Sequence, residues 1–401
     1  MTSSRPVALT PVASSESDAQ TAETASIRLF DLSAQNQGLA HKLDAAFERV
    51  RSRGAFILGE EVEAFERKCC EFLGLQHAVG VSNGSDALFL ALLALGIGPG
   101  HEVITTPFTF IATGEAILRT GATPVFADID PETLCLSPER VATMLSTRTR
   151  AVVYVHLYGN PGPIAELAQL CAERSVFLVE DACQAFGASC NGRFAGAFGD
   201  IGCFSFFPTK PLGGLGDGGL CTTNDRALHA RLVSLRSHGQ SQQSGSAGLG
   251  GNFRLDALQA ALLSEKLPLV DSWRRAREVN ARRYGEALQG CQAVNAAPVA
   301  PDSVRPAYAL STVRVPSGRD QLMTFLAQRG IESRVYYPML LPEHALFGPH
   351  CRRDALTQAE RASREVLSLP NYYGLSVNAQ ERVIREVLNW GARGHAEGSL
   401  A

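Results

Sequence analysis

Val179-Glu180-Asp181-Ala182-Cys183-Gln184-Ala185 and, further on, Cys203-Phe204-Ser205-Phe206-Phe207-Pro208-Thr209-Lys210 are the two stretches whose reading decides the fold. Phe177-Leu178-Val179-Glu180 is a short apolar run after a helical segment, so it predicts a buried strand of an α/β sheet with Asp181 at its carboxyl end. Open α/β sheets place their ligands at that edge. The second run stops at Pro208, and Lys210 follows in a loop that opens into Gly213, Gly214, Gly216, Gly218 and Gly219, where backbone can approach a ligand closely. Taken singly, Asp181 reads as a strand-end cap and Lys210 as a solvated loop residue. Together, at the ends of neighbouring strands, they place a carboxylate and an amine at one sheet edge.

A lysine that acts as a nucleophile must lose its proton, which apolar neighbours and a nearby cation favour. An aspartate able to pair with a pyridinium nitrogen completes the minimal equipment for pyridoxal phosphate (PLP). Asp181-Ala182-Cys183-Gln184-Ala185, Ser205-Phe206-Phe207-Pro208-Thr209-Lys210 and Gly216-Asp217-Gly218-Gly219 resemble the DegT/StrS family of nucleotide-sugar aminotransferases, of the aspartate-aminotransferase fold (fold type I). The resemblance implies that Asp181 holds the pyridine nitrogen, Gln184 approaches the ring oxygen, Ser205 binds phosphate and Lys210 carries the cofactor. Cys183 stands where many members have alanine.

The 401 residues suffice for a large α/β domain and a smaller second one, and 45% hydrophobic residues support a sizeable core. Basic and acidic residues nearly cancel, 37 against 40, which argues against nucleic acid or membrane held by bulk charge. No apolar run is long enough to span a bilayer. Ten cysteines without the spacing of a secreted scaffold suggest free thiols and a cytoplasmic location, and no metal-type spacing arises. Residues 1–26 are rich in Ser, Thr and Ala, lack an apolar signal core and read as a disordered tail.

Leu39, Leu43, Ala46, Phe47 and Val50 recur at helical spacing, and a second helix carries Val62, Phe65 and Phe72. Ala78 to Leu88 then reads as strand, turn and apolar helix, with Gly84 at the turn and Ser85 as the N-cap, a setting suited to an anion. It matches the family's Asn-Gly-Thr/Ser-x-Ala-Leu segment, which implies that Gly84 and Ser85 hold the PLP phosphate. Glu102 to Thr106 predicts the next strand, broken by Pro107, and Phe108 and Phe110 enter a helix. The family's Pro-x-Thr-aromatic segment implies that Phe110 stacks on the cofactor ring. Residues 123–130 and 151–159 predict further strands, so the sheet is mostly parallel with helices on both faces. His156 stays unassigned.

A helix is expected over residues 225–235, then a Ser/Gly-rich loop that composition marks as flexible, ending at Gly251-Asn252-Phe253-Arg254. The resemblance implies a homodimer in which Asn252 touches the partner's phosphate group; otherwise Asn252 would cap the helix starting near Leu255. One long helix over 256–288 joins the two lobes. Residues 307–314 and 332–337 read as strands of an α+β lobe, with helices around 321–328, 358–366 and 380–390. The expected division is a tail at 1–26, a large PLP-binding domain at 27–265 and a small C-terminal domain at 266–401. Tyr336-Tyr337-Pro338 resembles the family's His-Tyr-Pro segment near the sugar, with Tyr336 in place of histidine; His238, Tyr336, Tyr337 and His344 are the candidate substrate residues. The implied reaction moves an amino group from an amino acid, L-glutamate, to a keto group of a nucleotide-linked sugar. Arg254-Leu255-Asp256, Gln259-Ala260-Ala261 and Tyr337-Pro338 resemble the branch of the family that acts on 3-keto sugars more than the branch that acts on 4-keto sugars, which implies a 3-keto sugar. A non-catalytic regulator that kept the fold is the alternative from another class.

Overall fold

The computed structural model describes residues 25–241, 245–246, 248–296 and 300–398; the tail expected over residues 1–26 lies outside the described residues up to residue 24. After a short helix at Ser33–Gln37 come two longer ones, α1 (Ala40–Arg53) and α2 (Glu60–Leu73). On α1 the buried stripe is Leu43, Ala46 and Val50, while Phe47, expected on it, is 48% exposed one position round the helix. On α2, Phe65 is buried and Phe72 stacks on Phe186 at 5.5 Å.

The large sheet is built from β1 (His77–Val81), β2 (Glu102–Thr105), β3 (Thr123–Phe126), β4 (Thr149–Val155), β5 (Phe177–Asp181), β6 (Ile201–Ser205) and β7 (Gly219–Thr223). Its order is β1-β7-β6-β5-β4-β2-β3, with Arg352–Arg353 as an eighth strand on the far edge. β6, β5, β4, β2 and β3 run parallel, and β7 runs antiparallel between β6 and β1. That arrangement sends the carboxyl ends of β1, β2, β4, β5 and β6 to one edge. The helix α3 (Gly84–Ala94) follows β1 and is apolar nearly all round, with Ala87, Leu88, Leu90, Ala91, Leu92 and Ala94 buried, as a helix packed on both sides must be. α4 (Ile111–Arg119) follows β2, α5 (Ile164–Glu173) precedes β5, and α6 (Arg226–Leu235), capped by the Asp225 carboxylate, follows β7.

The helix expected over 256–288 is two helices, α7 (Ala257–Lys266) and α8 (Val270–Ala287), separated by a 3-10 turn at Leu267–Leu269. Pro268 causes the break, since it lacks the N–H that would continue the ladder. Beyond it, β8 (Ser311–Arg314) and β9 (Val366–Leu369) pair antiparallel, with Asn295–Ala296 on β8's other side. α9 (Arg319–Ala327), α10 (Thr357–Glu365) and α11 (Val377–Gly398) complete this lobe. Residues 332–337, read as a strand, make only single bridges through Arg334 to Ser368 and at neighbouring Ile331 to Ile27. The lobes exchange segments across position 265. Ile27 packs in the core of the second lobe, whereas Leu340, Leu341, Phe347 and Leu356 pack in the core of the large sheet.

One buried carboxylate ties the centre of the sheet together. Glu180 Oε1 accepts from the N–H groups of Phe198 and Gly199, both at 2.6 Å, and Oε2 accepts from Gly196 N–H and from His156 Nε2, both at 2.8 Å. Both side chains are fully buried, so His156 is structural. Glu180→Ala leaves four buried donors without an acceptor and is expected to lower stability by about 3–5 kcal/mol, read as the shift in urea unfolding midpoint.

Candidate active site

β5 and β6 lie in register with Asp181 opposite Cys203, so Asp181 and Ser205 end adjacent strands at the same edge. Between the strand ends and the second lobe is a cavity of about 770 Å³. Gly84, Ser85, Phe110, Asp181, Gln184, Ser205, Lys210, Tyr336 and Tyr337 all line it, which brings together nine of the expected site residues. Asn252, His238 and His344 are not on its wall.

Asp181 is 6% exposed, and its two oxygens are held separately. Oδ2 accepts from Thr113 Oγ at 2.7 Å and Oδ1 from Cys183 N–H at 3.2 Å. Cys183 is pushed well above the usual thiol range, first by burial and then by the charge of Asp181, so it stays a thiol. Gln184 is oriented without ambiguity. Its Oε1 accepts from Tyr158 N–H at 2.6 Å, leaving Nε2 to donate to Tyr337 Oη at 3.1 Å. Burial first, and the Asp181 charge second, push the Tyr337 phenol up and keep it neutral.

At the opposite end, Asn83, not Ser85, caps α3: its Oδ1 accepts from Asp86 N–H at 2.8 Å. Gly84 and Ser85 therefore occupy the first turn, where N–H groups have no partner inside the helix. A Cβ on Gly84 would lie 2.7 Å from Ser205 Cβ and 2.8 Å from Cys183 Sγ, so only glycine lets the helix start approach β6 this closely. The Asp86 carboxylate, a poor neighbour for an anion, is turned to Ser82, Asn83 and Arg119. Phe110 leaves 56% of its surface open at the cavity, unlike Phe108, which is wholly buried and belongs to the core.

Asn252 is exposed, and its Oδ1 accepts from Arg254 Nε at 2.8 Å. It is not a helix cap, since Asp256 holds the position before α7. In the loop read as flexible, Gln240–Ser241 pairs with Gly245–Ser246, and residues 242–244 and 247 lie outside the described residues. Thr113 and Tyr158, which fix Asp181 and Gln184, had no motif to mark them. The nearest signal was a threonine three positions after Phe110 in an otherwise apolar helix start.

A carboxylate, a lysine, an open aromatic ring and a helix start beside a serine hydroxyl, in one cavity, fit PLP in both chemistry and crowding. The sequence profile of the DegT/DnrJ/EryC1/StrS aminotransferase family matches residues 38–388. The chain belongs to that family. It is a PLP-dependent transaminase of fold type I. It is 40% identical over 375 residues, 93% of this chain and 98% of the other, to the dTDP-3-amino-3,4,6-trideoxy-alpha-D-glucose transaminase of Streptomyces venezuelae. It is also 39% identical over 365 residues, 90% and 97% of the two chains, to a protein of Geobacillus stearothermophilus named pleiotropic regulatory protein. Among solved structures it resembles S. venezuelae DesV in complex with a ketimine intermediate, with a TM-score of 0.88 and 39% identity over 92% of this chain and 99% of that one. Among the described residues no helix is long and apolar enough to cross a membrane, and no cluster of side chains could hold a metal ion.

The Lys210 loop is anchored from α7. Lys266 is 2% exposed, its Nζ donates to Gly213 O at 3.0 Å, and burial lowers its pKa from 10.5 to about 8. Between these values the unfolded chain binds the extra proton, so this residue makes stability rise with pH from about 8 to 10.5. Wild type is expected to gain about 3 kcal/mol over that window relative to Lys266→Met, measured as the pH dependence of their difference in unfolding free energy.

Proposed function

We propose that this transaminase moves the amino group of an amino acid, L-glutamate, to a keto group on a nucleotide-linked sugar, and that the keto group is at C3. The observation that carries the reading is the single cavity in which Lys210, Asp181 and Phe110 face the start of α3. The S. venezuelae relative, named for a 3-amino sugar, supports the C3 assignment, as do Arg254-Leu255-Asp256 and Tyr337-Pro338.

In this reading Lys210 holds the cofactor, Asp181 pairs with its ring nitrogen and Gln184 donates toward its ring oxygen. Phe110 covers one ring face, and the N–H groups of Gly84 and Ser85 with the Ser205 hydroxyl hold the phosphate. Bound PLP supplies an electron sink for the charge left when the donor's α-carbon loses its proton. Lys210, freed by the incoming donor, takes that proton as a general base; in the second half-reaction it returns one to the sugar carbon that becomes the amine-bearing carbon. Asp181 holds the positive charge on the ring through both halves. Tyr336 and Tyr337 face the sugar, and the exposed positions of Asn252 and His238 suit a homodimer in which Asn252 reaches the phosphate group of the other protomer.

Lys210→Ala is expected to abolish turnover and the visible absorption band of the lysine-bound cofactor, while wild type with L-glutamate loses that band and converts 3-keto nucleotide sugars faster than 4-keto ones. The reverse order of rates would move the assignment to C4. A cofactor that loads but turns over no keto sugar would favour a regulatory protein, the reading that the name of the Geobacillus relative supports. Asn252→Ala is expected to weaken PLP binding with the dimer retained in light scattering; a monomeric protein with full PLP occupancy sinks the donation across the interface.

A further inference from the structure

We propose that Thr113 and Thr109 form a directional hydrogen-bond relay that fixes the Asp181 carboxylate for the cofactor's ring nitrogen, making Thr113 a positioning residue of this transaminase. The inference rests on the reading of Asp181 above. Thr113 sits in the first turn of α4, 1% exposed, with its Oγ 2.7 Å from Asp181 Oδ2 and 3.2 Å from the Oγ of Thr109, itself 3% exposed.

Proton counting sets the direction. An ionised carboxylate only accepts, so the one hydroxyl proton of Thr113 goes to Asp181. Thr113 then has no proton left for Thr109, and Thr109 must be the donor of the second bond. The order is Thr109 to Thr113 to Asp181, and each bond polarises the next. With Cys183 N–H on Oδ1, each carboxylate oxygen has one protein donor and keeps a lone pair for a ring N–H.

The relay comes from the segment that carries the stacking ring. Thr109, Phe110 and Thr113 follow Pro107 closely in sequence, at and just before the start of α4, and all line the cavity with Asp181. A shift of this segment therefore moves the covered ring face and the carboxylate's partner together. That coupling separates a positioning role from simple helix packing, because a packing role needs the methyl and bulk of threonine but not its hydroxyl.

Thr113→Val keeps the bulk and removes the hydroxyl, Thr113→Ser does the opposite, and Thr109→Val removes only the second bond. The full-length proteins are titrated with PLP and followed by absorbance, alongside melting temperature, kcat and KM for L-glutamate. Asp181→Asn serves as the reference. The expected result is PLP affinity reduced roughly tenfold or more in Thr113→Val, a smaller loss in Thr109→Val, and wild-type affinity in Thr113→Ser, with kcat falling and KM little changed in Thr113→Val. Wild-type affinity in Thr113→Val beside weak binding in Asp181→Asn overturns the relay alone. Wild-type affinity in both overturns the Asp181 assignment and the relay with it. Equal losses in Thr113→Val and Thr113→Ser, each tracking a lowered melting temperature, assign Thr113 to packing and also overturn it.

Discussion

The Glu180 carboxylate is the fixed point on which the site depends. Consecutive residues of a strand project to opposite faces, so anchoring Glu180 through three backbone N–H groups and His156 settles the direction in which Asp181 leaves the same strand. The N–H groups come from residues 196–199, the turn that feeds β6. One buried charge thus fixes the end of β5, the start of β6 and the imidazole at the end of β4. Burying a carboxylate is tolerable only with this degree of compensation. It also explains why two acidic residues in succession have unrelated roles, one satisfied entirely by protein and the other left with capacity for a ligand.

The cavity separates charge along its length. At the β5 end the carboxylate of Asp181 is held by neutral donors, Thr113 and the Cys183 peptide, and among the described residues no arginine is paired to it, so its charge is directed into the cavity. At the α3 end the carboxylate of Asp86 is paired with Arg119 and hydrogen-bonded to Ser82 and Asn83, which leaves the helix start positive toward an anion. A ligand with a cationic ring nitrogen at one end and a phosphate at the other meets the complementary sign at both. Phe110 lies between, and its open ring offers apolar surface where the ligand is flat.

Much of this was legible because strand-end chemistry leaves strong traces. Asp181 after an apolar run, Lys210 after Pro208 and Asn83-Gly84-Ser85 before an apolar helix each combine a periodic signal with a residue that has a particular reason to be there. Other features were not legible, and for identifiable reasons. Pro268 sits between two good helical patterns whose period continues across it, so the pattern hid a break that the missing N–H enforces. Phe47 fits the apolar spacing of α1, but packing chose Ala46 and Val50 instead. Thr113 is an ordinary helical threonine until β5 is placed beside it; its partner is 68 positions away in sequence, and no local pattern encodes that distance. Cap position is similarly decided by geometry, since Asn83 and Ser85 are both good caps and only the turn selects between them.

Tyr158 shows why the floor of the cavity and its far wall have to be specified together. It is held in the left-handed region at φ 57°, which directs its backbone N–H to Gln184 Oε1, while its hydroxyl donates to the Tyr336 carbonyl. Its carbonyl accepts from Ala309 N–H at 3.0 Å, and the next residue, Gly159, accepts from Ala307 N–H at 2.8 Å. Gly159 has φ 86°, and a Cβ there would lie 2.7 Å from Gln184 O and 2.9 Å from Ala307 Cβ. The turn therefore joins the segment leading to β8, the segment carrying Tyr336 and Tyr337, and the glutamine of the floor. Gln184 in turn donates to Tyr337, which closes the loop of contacts. A side chain at position 159, or a different backbone at 158, would displace the wall facing the substrate and the glutamine facing the cofactor in the same movement. The lobes are thereby built as one site rather than as two domains that happen to meet.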